Sequence, residues 1–262
     1  MTSFTRTPIK YRLRSKSTLH HYDEYNHENH KENIQETFNN NLKGNKLGTP
    51  IKKATKHCGK EGHWVEELMG STHDSKNEPD LFGSIELKVG TKRVTTLGDW
   101  SPNVGEKWWQ SEETKLFFFQ KFGIFNPKKS RWSWTNLIKY EVYNKCGQKL
   151  AINNDGVFVV YNRLYDTFYE NRPLKSSYDV CTIVGWKHDY FEMRFSNKFS
   201  KGGVVICKKN DDGYFDKLVF TDPRLYVDFL RGLKSLDVFL SPGTYQGNPR
   251  PYMMWRCFNK WL

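Results

Sequence analysis

One short run constrains the fold more than any other feature of this chain. Ile85-Glu86-Leu87-Lys88-Val89 alternates apolar and charged residues without a break. Successive side chains of a strand point to opposite faces, so this pattern predicts a strand with Ile85, Leu87 and Val89 in a core. Glu86 and Lys88 then share the other face, in a polar cleft, about 6.5–7 Å apart along the chain. The preceding Pro79-Asp80-Leu81-Phe82 reads as a second extended piece, split from the first by Gly83-Ser84. The two pieces are expected to form a short hairpin in which Asp80 reaches the face of Glu86 and Lys88.

Two carboxylates held together make a hard, oxygen-ligand site suited to Mg²⁺, an ion that keeps several of its waters. Such an ion polarises a phosphodiester and makes a bound water more acidic. A lysine beside it can orient or help deprotonate an attacking water and offset charge in the transition state. Carboxylates alone would repel a phosphate, and the ion and the lysine reverse the local sign. The same alternation also fits an ordinary solvated strand face, so on these residues alone both readings stay open.

The 262 residues allow one large domain or two small ones. Hydrophobic residues make up 37%, a low share, but aromatics at 16% offset it because each ring buries a large area. Lys and Arg number 41 against 29 Asp and Glu, a formal net charge of +12. That excess points to a polyanionic partner, nucleic acid or an anionic membrane surface. A membrane-surface protein would need a basic amphipathic helix, and the sequence offers none. No apolar run approaches the ~18 residues that span a bilayer, and no apolar signal stretch opens the chain, so it reads as soluble and cytoplasmic. The five cysteines are scattered without a CxxC pair, which disfavours a structural zinc site or a disulfide framework.

Three segments are expected. Residues 1–57 read as a basic, polar N-terminal tail, either disordered or in contact with DNA. The stretch 18–45 is nearly free of aliphatic residues and looks unable to bury enough surface to offset chain entropy. Its flanks carry Arg6, Lys10, Arg12, Arg14 and Lys16 before it and Lys52, Lys53 and Lys56 after it. His20, His21, His27 and His30 lack the carboxylates or cysteines that would favour a metal site. Residues 58–156 are expected to hold the catalytic core, opening with a short helix over Trp64–Met69 that Gly70 ends. Residues 157–262 read as a β-rich lobe. Strands are expected at Val157–Tyr161, Val180–Trp186, Val204–Cys207, Tyr214–Phe220, Leu236–Leu240 and Tyr252–Phe258, with one helix over Pro223–Leu233 that has Pro in its first turn. Trp108 and Trp109 read as core, and His188 as structural.

Pro79-Asp80…Glu86-Leu87-Lys88 resembles the motif of the PD-(D/E)XK nucleases. The longer run, from Gly62-His63-Trp64-Val65-Glu66-Glu67-Leu68-Met69 through that motif, is similar to the branch of MutH, Sau3AI and the MvaI/BcnI-like enzymes. Thr95-Thr96-Leu97-Gly98-Asp99-Trp100-Ser101-Pro102 and the segment Tyr252–Arg256 also resemble the MvaI-like group. The resemblance spans about Gly59 to Phe258 and is most specific over residues 62–102. It implies an α/β, restriction-endonuclease-like fold: a mixed central sheet flanked by helices, with a β-rich C-terminal DNA-recognition lobe. It implies a type II restriction enzyme that cuts both strands of DNA with Mg²⁺, works as a monomer and leaves 5′-phosphate and 3′-hydroxyl ends. A companion DNA methyltransferase would protect the host.

By the same resemblance Asp80 and Glu86 would be metal ligands, Lys88 the catalytic lysine and Glu66 an accessory acid, with Glu67 as its fallback. Arg256 matches a base-reading arginine. The loop Ser241–Arg250 departs from the His-rich loop of the MvaI-like pattern, which leaves the recognition sequence undefined. Residue chemistry adds Gln246, Asn248 and Arg250 as base contacts, because Arg pairs with guanine and Gln or Asn with adenine. Lys92, Arg93, Lys128, Lys129 and Arg131 are candidate phosphate contacts or plain solvated charge. Two alternatives remain: a MutH-like strand-nicking mismatch-repair endonuclease, and a non-catalytic DNA-binding module.

Overall fold

Strands form here where β-branched and aromatic residues cluster, and helices where apolar residues recur every three or four positions. The structure, a computed structural model, describes residues 24–47, 60–71, 77–90 and 93–262. Among them are five α-helices: Glu24–Asn41 (α1), Lys60–Leu68 (α2), Glu112–Phe122 (α3), His188–Phe199 (α4) and Tyr226–Lys234 (α5). The strands are Glu86–Val89 (β1), Val94–Asp99 (β2), Ile124–Asn126 (β3), Arg131–Trp134 (β4), Cys146–Ile152 (β5) and Gly156–Asp166 (β6). They continue with Val180–Lys187 (β7), Val204–Lys209 (β8), Phe215–Phe220 (β9), Val238–Pro242 (β10), Thr244–Tyr245 (β11) and Met253–Phe258 (β12). The described strands form four three-stranded sheets, ordered β1–β8–β9, β10–β12–β2, β11–β4–β3 and β5–β6–β7. Among the described helices, none is long and apolar enough to cross a membrane.

The first sheet is the mixed one, with β1 parallel and β9 antiparallel to β8. Its register pairs Glu86 with Val204 and Lys88 with Ile206. Paired residues share a sheet face, so Glu86 and Lys88 stand beside Val204 and Ile206, which belong to the larger hydrophobic core. Leu87, Val205 and Cys207 face the other way, into a smaller core closed by α1 and α2. The sheet thus separates two cores, with β1 on its edge. Because β1 pairs with a strand from the far part of the chain, the sheet draws on both sides of the expected boundary at residue 156.

Aromatic rings do supply the bulk of the larger core. Phe191, Phe195 and Phe199 recur every four residues on α4 and are fully buried among Trp100, Trp186, Phe229 and Trp255. Trp108 and Trp109 pack against the same core, and Trp108 Nε1 donates to the Ile183 carbonyl at 2.9 Å. Tyr161 of that core donates its Oη to the buried Asp166 carboxylate at 2.9 Å, and Arg172 pairs with the same carboxylate. Arg172 Nη1 donates to the Gly123 carbonyl at 2.6 Å, which ties β6 to the end of α3.

Several expectations are corrected. The polar stretch within 18–45 is not without buried surface: it contains α1, which buries Ile34 and Phe38, with Leu42 just beyond, in the smaller core. These three residues are four apart and form one stripe, and that is enough for docking. His30 stacks on Phe82, with ring centroids 4.4 Å apart. His20, His21 and the basic residues of the flanks lie outside the described residues. The segment between Trp186 and Val204 is not a link between strands but α4. The Pro223 helix starts later, at Tyr226, where Asp228 accepts the Leu225 N–H at 3.0 Å. The strand expected from Leu236 starts at Val238, because Leu236 holds a left-handed φ of 65°.

Candidate active site

Asp80 does not sit on a paired strand. It precedes a tight turn closed by a single antiparallel bridge, Leu81 to Ile85, in which Phe82 and Gly83 take φ of 51° and 65°. Only glycine adopts such angles without cost, and Phe82 holds its own by stacking on His30. The turn brings Asp80 back over β1, where its Oδ2 accepts the Leu87 N–H at 2.9 Å. That N–H points to the open side of an edge strand, because the neighbouring Glu86 N–H is already donated to Gly203. One hydrogen bond therefore satisfies the edge and fixes the Asp80 carboxylate beside the charged face of β1.

Glu86 is fully buried, which departs from the expected polar cleft face. Its Oε1 is ion-paired with Lys88 Nζ and, at 2.9 Å, with Lys198 Nζ from α4. Its Oε2 is buried and has no hydrogen-bond partner. Burial pushes the Glu86 carboxyl up from its ordinary value, Asp80 adds to this, and Lys88 and Lys198 work against it. Burial alone would lower Lys88, but the carboxylates of Glu86, Asp80 and Glu66 outweigh it and hold the ammonium above its ordinary value. Lys88 Nζ donates to Glu86 Oε1.

Asp80, Glu86, Lys88 and Glu66 thus converge, and Lys198 joins them. Glu66 lies on α2, which Gly70 ends with a left-handed φ of 79° while Ser71 N–H caps the Glu66 carbonyl at 2.8 Å. Glu67 is exposed, on a different side of the helix. Sequence reasoning missed Lys198, and the available signal was the four-residue spacing of Phe191, Phe195 and Phe199. Among the described residues no group of three or more His, Cys, Asp or Glu forms a metal cage. Two carboxylates suffice for Mg²⁺, which takes its other ligands from water and phosphate. Hard oxygen donors and an unpartnered buried Oε2 fit that ion.

The proposed DNA contacts have mixed surroundings. Gln246 is exposed, and its Oε1 accepts the Trp132 N–H at 3.4 Å. Arg250 is half-exposed and ion-paired with Asp99 at 2.9 Å. Arg93 is exposed, as are Lys128 and Lys129, while Arg131 lies over the Tyr245 ring at 3.5 Å. Lys92 lies outside the described residues. Arg256 is partly buried on β12, its Nη2 3.3 Å from Met254 Sδ and its Nε buried without a partner.

Asn248 is buried, and its Oδ1 accepts the Tyr245 N–H at 2.7 Å, so its side chain is engaged in the turn between β11 and β12 rather than held out for a base. Asn248→Ala should cost about 1–3 kcal/mol of stability by orphaning that N–H. Urea unfolding checks this. His188 is held by Tyr226 Oη and the Asn153 carbonyl, each at 2.9 Å, which ties the start of α4 to α5 and to the turn between β5 and β6.

A family model described as LlaMI restriction endonuclease matches residues 42–262. The type II restriction enzyme ScrFI of Lactococcus lactis subsp. cremoris is 27% identical over 261 residues, covering 88% of this chain and 95% of that protein. The restriction endonuclease MvaI, in complex with its cognate DNA substrate, matches with a TM-score of 0.61 over 89% of this chain and 93% of that one. At 14% identity that match speaks for a shared fold. With the family model spanning most of its length, the chain belongs to the LlaMI restriction endonuclease family.

Proposed function

We propose that this restriction endonuclease hydrolyses both strands of DNA in the presence of Mg²⁺ and leaves 5′-phosphate and 3′-hydroxyl ends. One observation carries the reading: Asp80, Glu86 and Lys88 converge at the edge of β1, with Glu86 Oε2 buried and unpartnered. Asp80 and Glu86 would hold the ion. When bound, it supplies Lewis-acid polarisation of the phosphodiester and a more acidic water. Lys88 Nζ, kept as an ammonium, donates to a non-bridging oxygen of the scissile phosphate and offsets the charge that builds there. A water oxygen attacks phosphorus in line with O3′. The new P–O bond forms as the P–O3′ bond breaks, the attacking water gives up a proton to solvent, the electron pair of the broken bond leaves on O3′, and a proton from solvent completes the 3′-hydroxyl. Glu66, one of the carboxylates acting on Lys88, helps keep that ammonium charged and oriented.

Gln246, Arg250 and Arg256 are the proposed base contacts, and Arg93 and Lys92 contact phosphate. A monomer that makes both cuts in turn fits the MvaI-like resemblance. A companion methyltransferase follows from the chemistry, since an unmodified genome would be cut by its own enzyme.

Incubating phage DNA with the purified protein tests the reading. Discrete fragments are expected with Mg²⁺ and none with EDTA, because two carboxylates facing a phosphate without the ion are purely repulsive. Sequencing of the fragment ends should find 5′-phosphates. Circular DNA that is nicked and never linearised, or cutting that persists in EDTA, would overturn it.

A further inference from the structure

Glu86 is faced by more positive charge than a single catalytic lysine supplies. Lys88 comes from the same strand, two residues on, and Lys198 comes from α4, more than a hundred residues away in sequence. Both ammonium groups bind Oε1, and both side chains are largely buried. The two lysines are held differently. α4 is locked in rotation by Phe191, Phe195 and Phe199, all fully buried, which fixes the root of Lys198 against the site. Lys88 sits on an edge strand, and its side chain keeps some exposed surface where that of Glu86 keeps none.

A buried carboxylate stripped of its cation is strongly disfavoured. Were Lys88 its sole ion-pair partner, moving the ammonium onto a phosphate would leave Glu86 without a protein cation and with only the bound ion to offset its charge. With Lys198 in place a protein cation stays on Oε1 when Lys88 moves. We propose that Lys198 is a positioning residue of the cleavage site: it is the standing counter-ion of Glu86, and it thereby leaves Lys88 free to turn from Glu86 to the scissile phosphate. This inference rests on the reading of Asp80, Glu86 and Lys88 as the cleavage site.

The test uses the full chain as Lys198→Met, Lys198→Gln and Lys198→Arg, with Asp80→Asn as a control for the site itself. Single-turnover cleavage at saturating DNA is measured with Mg²⁺, together with the half-saturating DNA concentration. Mn²⁺ binding without DNA is followed by loss of the free-ion electron paramagnetic resonance signal. Lys198→Met should lower the cleavage rate about 10- to 100-fold with the half-saturating DNA concentration nearly unchanged. Lys198→Arg should recover most of the rate. Mn²⁺ affinity of the Met variant should be unchanged or tighter, since a cation has been removed from beside the carboxylates. Lys198→Gln, which keeps a donor without the charge, should behave like Met and serves if the Met variant does not fold.

A Met or Gln variant within about threefold of the wild-type rate overturns the proposal. So does a rate loss matched by an equal loss of Mn²⁺ binding, because Lys198 would then be propping the carboxylates rather than releasing Lys88. An Asp80→Asn protein that cuts normally would instead sink the site beneath it.

Discussion

Lys88→Ala should slow DNA cleavage by about 100- to 1000-fold, the usual loss when one preorganised donor to a developing charge is removed. The site geometry explains why the loss falls on chemistry and not on folding. Glu86 keeps Lys198 at 2.9 Å when Lys88 is gone, so its buried carboxylate retains a cation. Asp80 keeps its bond to the Leu87 N–H, so the turn before β1 stays closed. DNA binding rests on many phosphate contacts across a chain with a net charge of +12, and one ammonium is a small part of that. The half-saturating DNA concentration without divalent ion should therefore change little. Lys88→Arg should fall between wild type and Ala, because guanidinium keeps the charge but not the compact geometry of an ammonium. Single-turnover rates beside gel-shift binding separate the two effects. A Lys88→Ala protein that cuts at the normal rate would refute the assignment of this lysine.

The parts of this site that were legible in the sequence are those set by local spacing. Glu86 and Lys88 share a face because strands alternate, and Asp80 comes within reach because a Gly83-Ser84 turn separates it from β1. Lys198 was illegible for the opposite reason. It meets Glu86 only because β8 pairs in parallel with β1, which brings the preceding α4 over the charged face. No local pattern encodes that pairing. The burial of Glu86 has the same origin, since the expected cleft face is covered by a helix read as part of a strand meander. Asn248 shows the limit of reasoning from residue type, because an amide suited to reading adenine is equally suited to closing a turn, and here it closes one. Over residues 18–45, mean composition outweighed spacing: a stretch of Asn, Glu and His hid three apolar residues four apart.

That last correction carries a second large effect. Phe38→Ala should destabilise the protein by about 3–5 kcal/mol, the usual cost of emptying a fully buried phenylalanine site. Phe38 lies in the smaller core with Val65 of α2, Leu87 of β1 and Val205 of β8, and it has no exposed surface. α1 cannot rely on helix propensity, since its sequence is rich in Asn and His, so its docking depends on this stripe. Its C-terminal end is also tied in: the Gly44 N–H donates to the Phe215 carbonyl, and the Phe215 N–H donates to Asn45. Opening this core therefore loosens β9 and the back of the sheet that carries Glu86 and Lys88. Urea unfolding should move to a lower midpoint, and cleavage should fail at a lower temperature while the rate in the cold stays near wild type. An exposed neighbour on the same helix, Glu36→Ala, should change stability by no more than about 0.5 kcal/mol. A Phe38→Ala loss as small as that of Glu36→Ala would mean that α1 contributes nothing to the core behind the cleavage site.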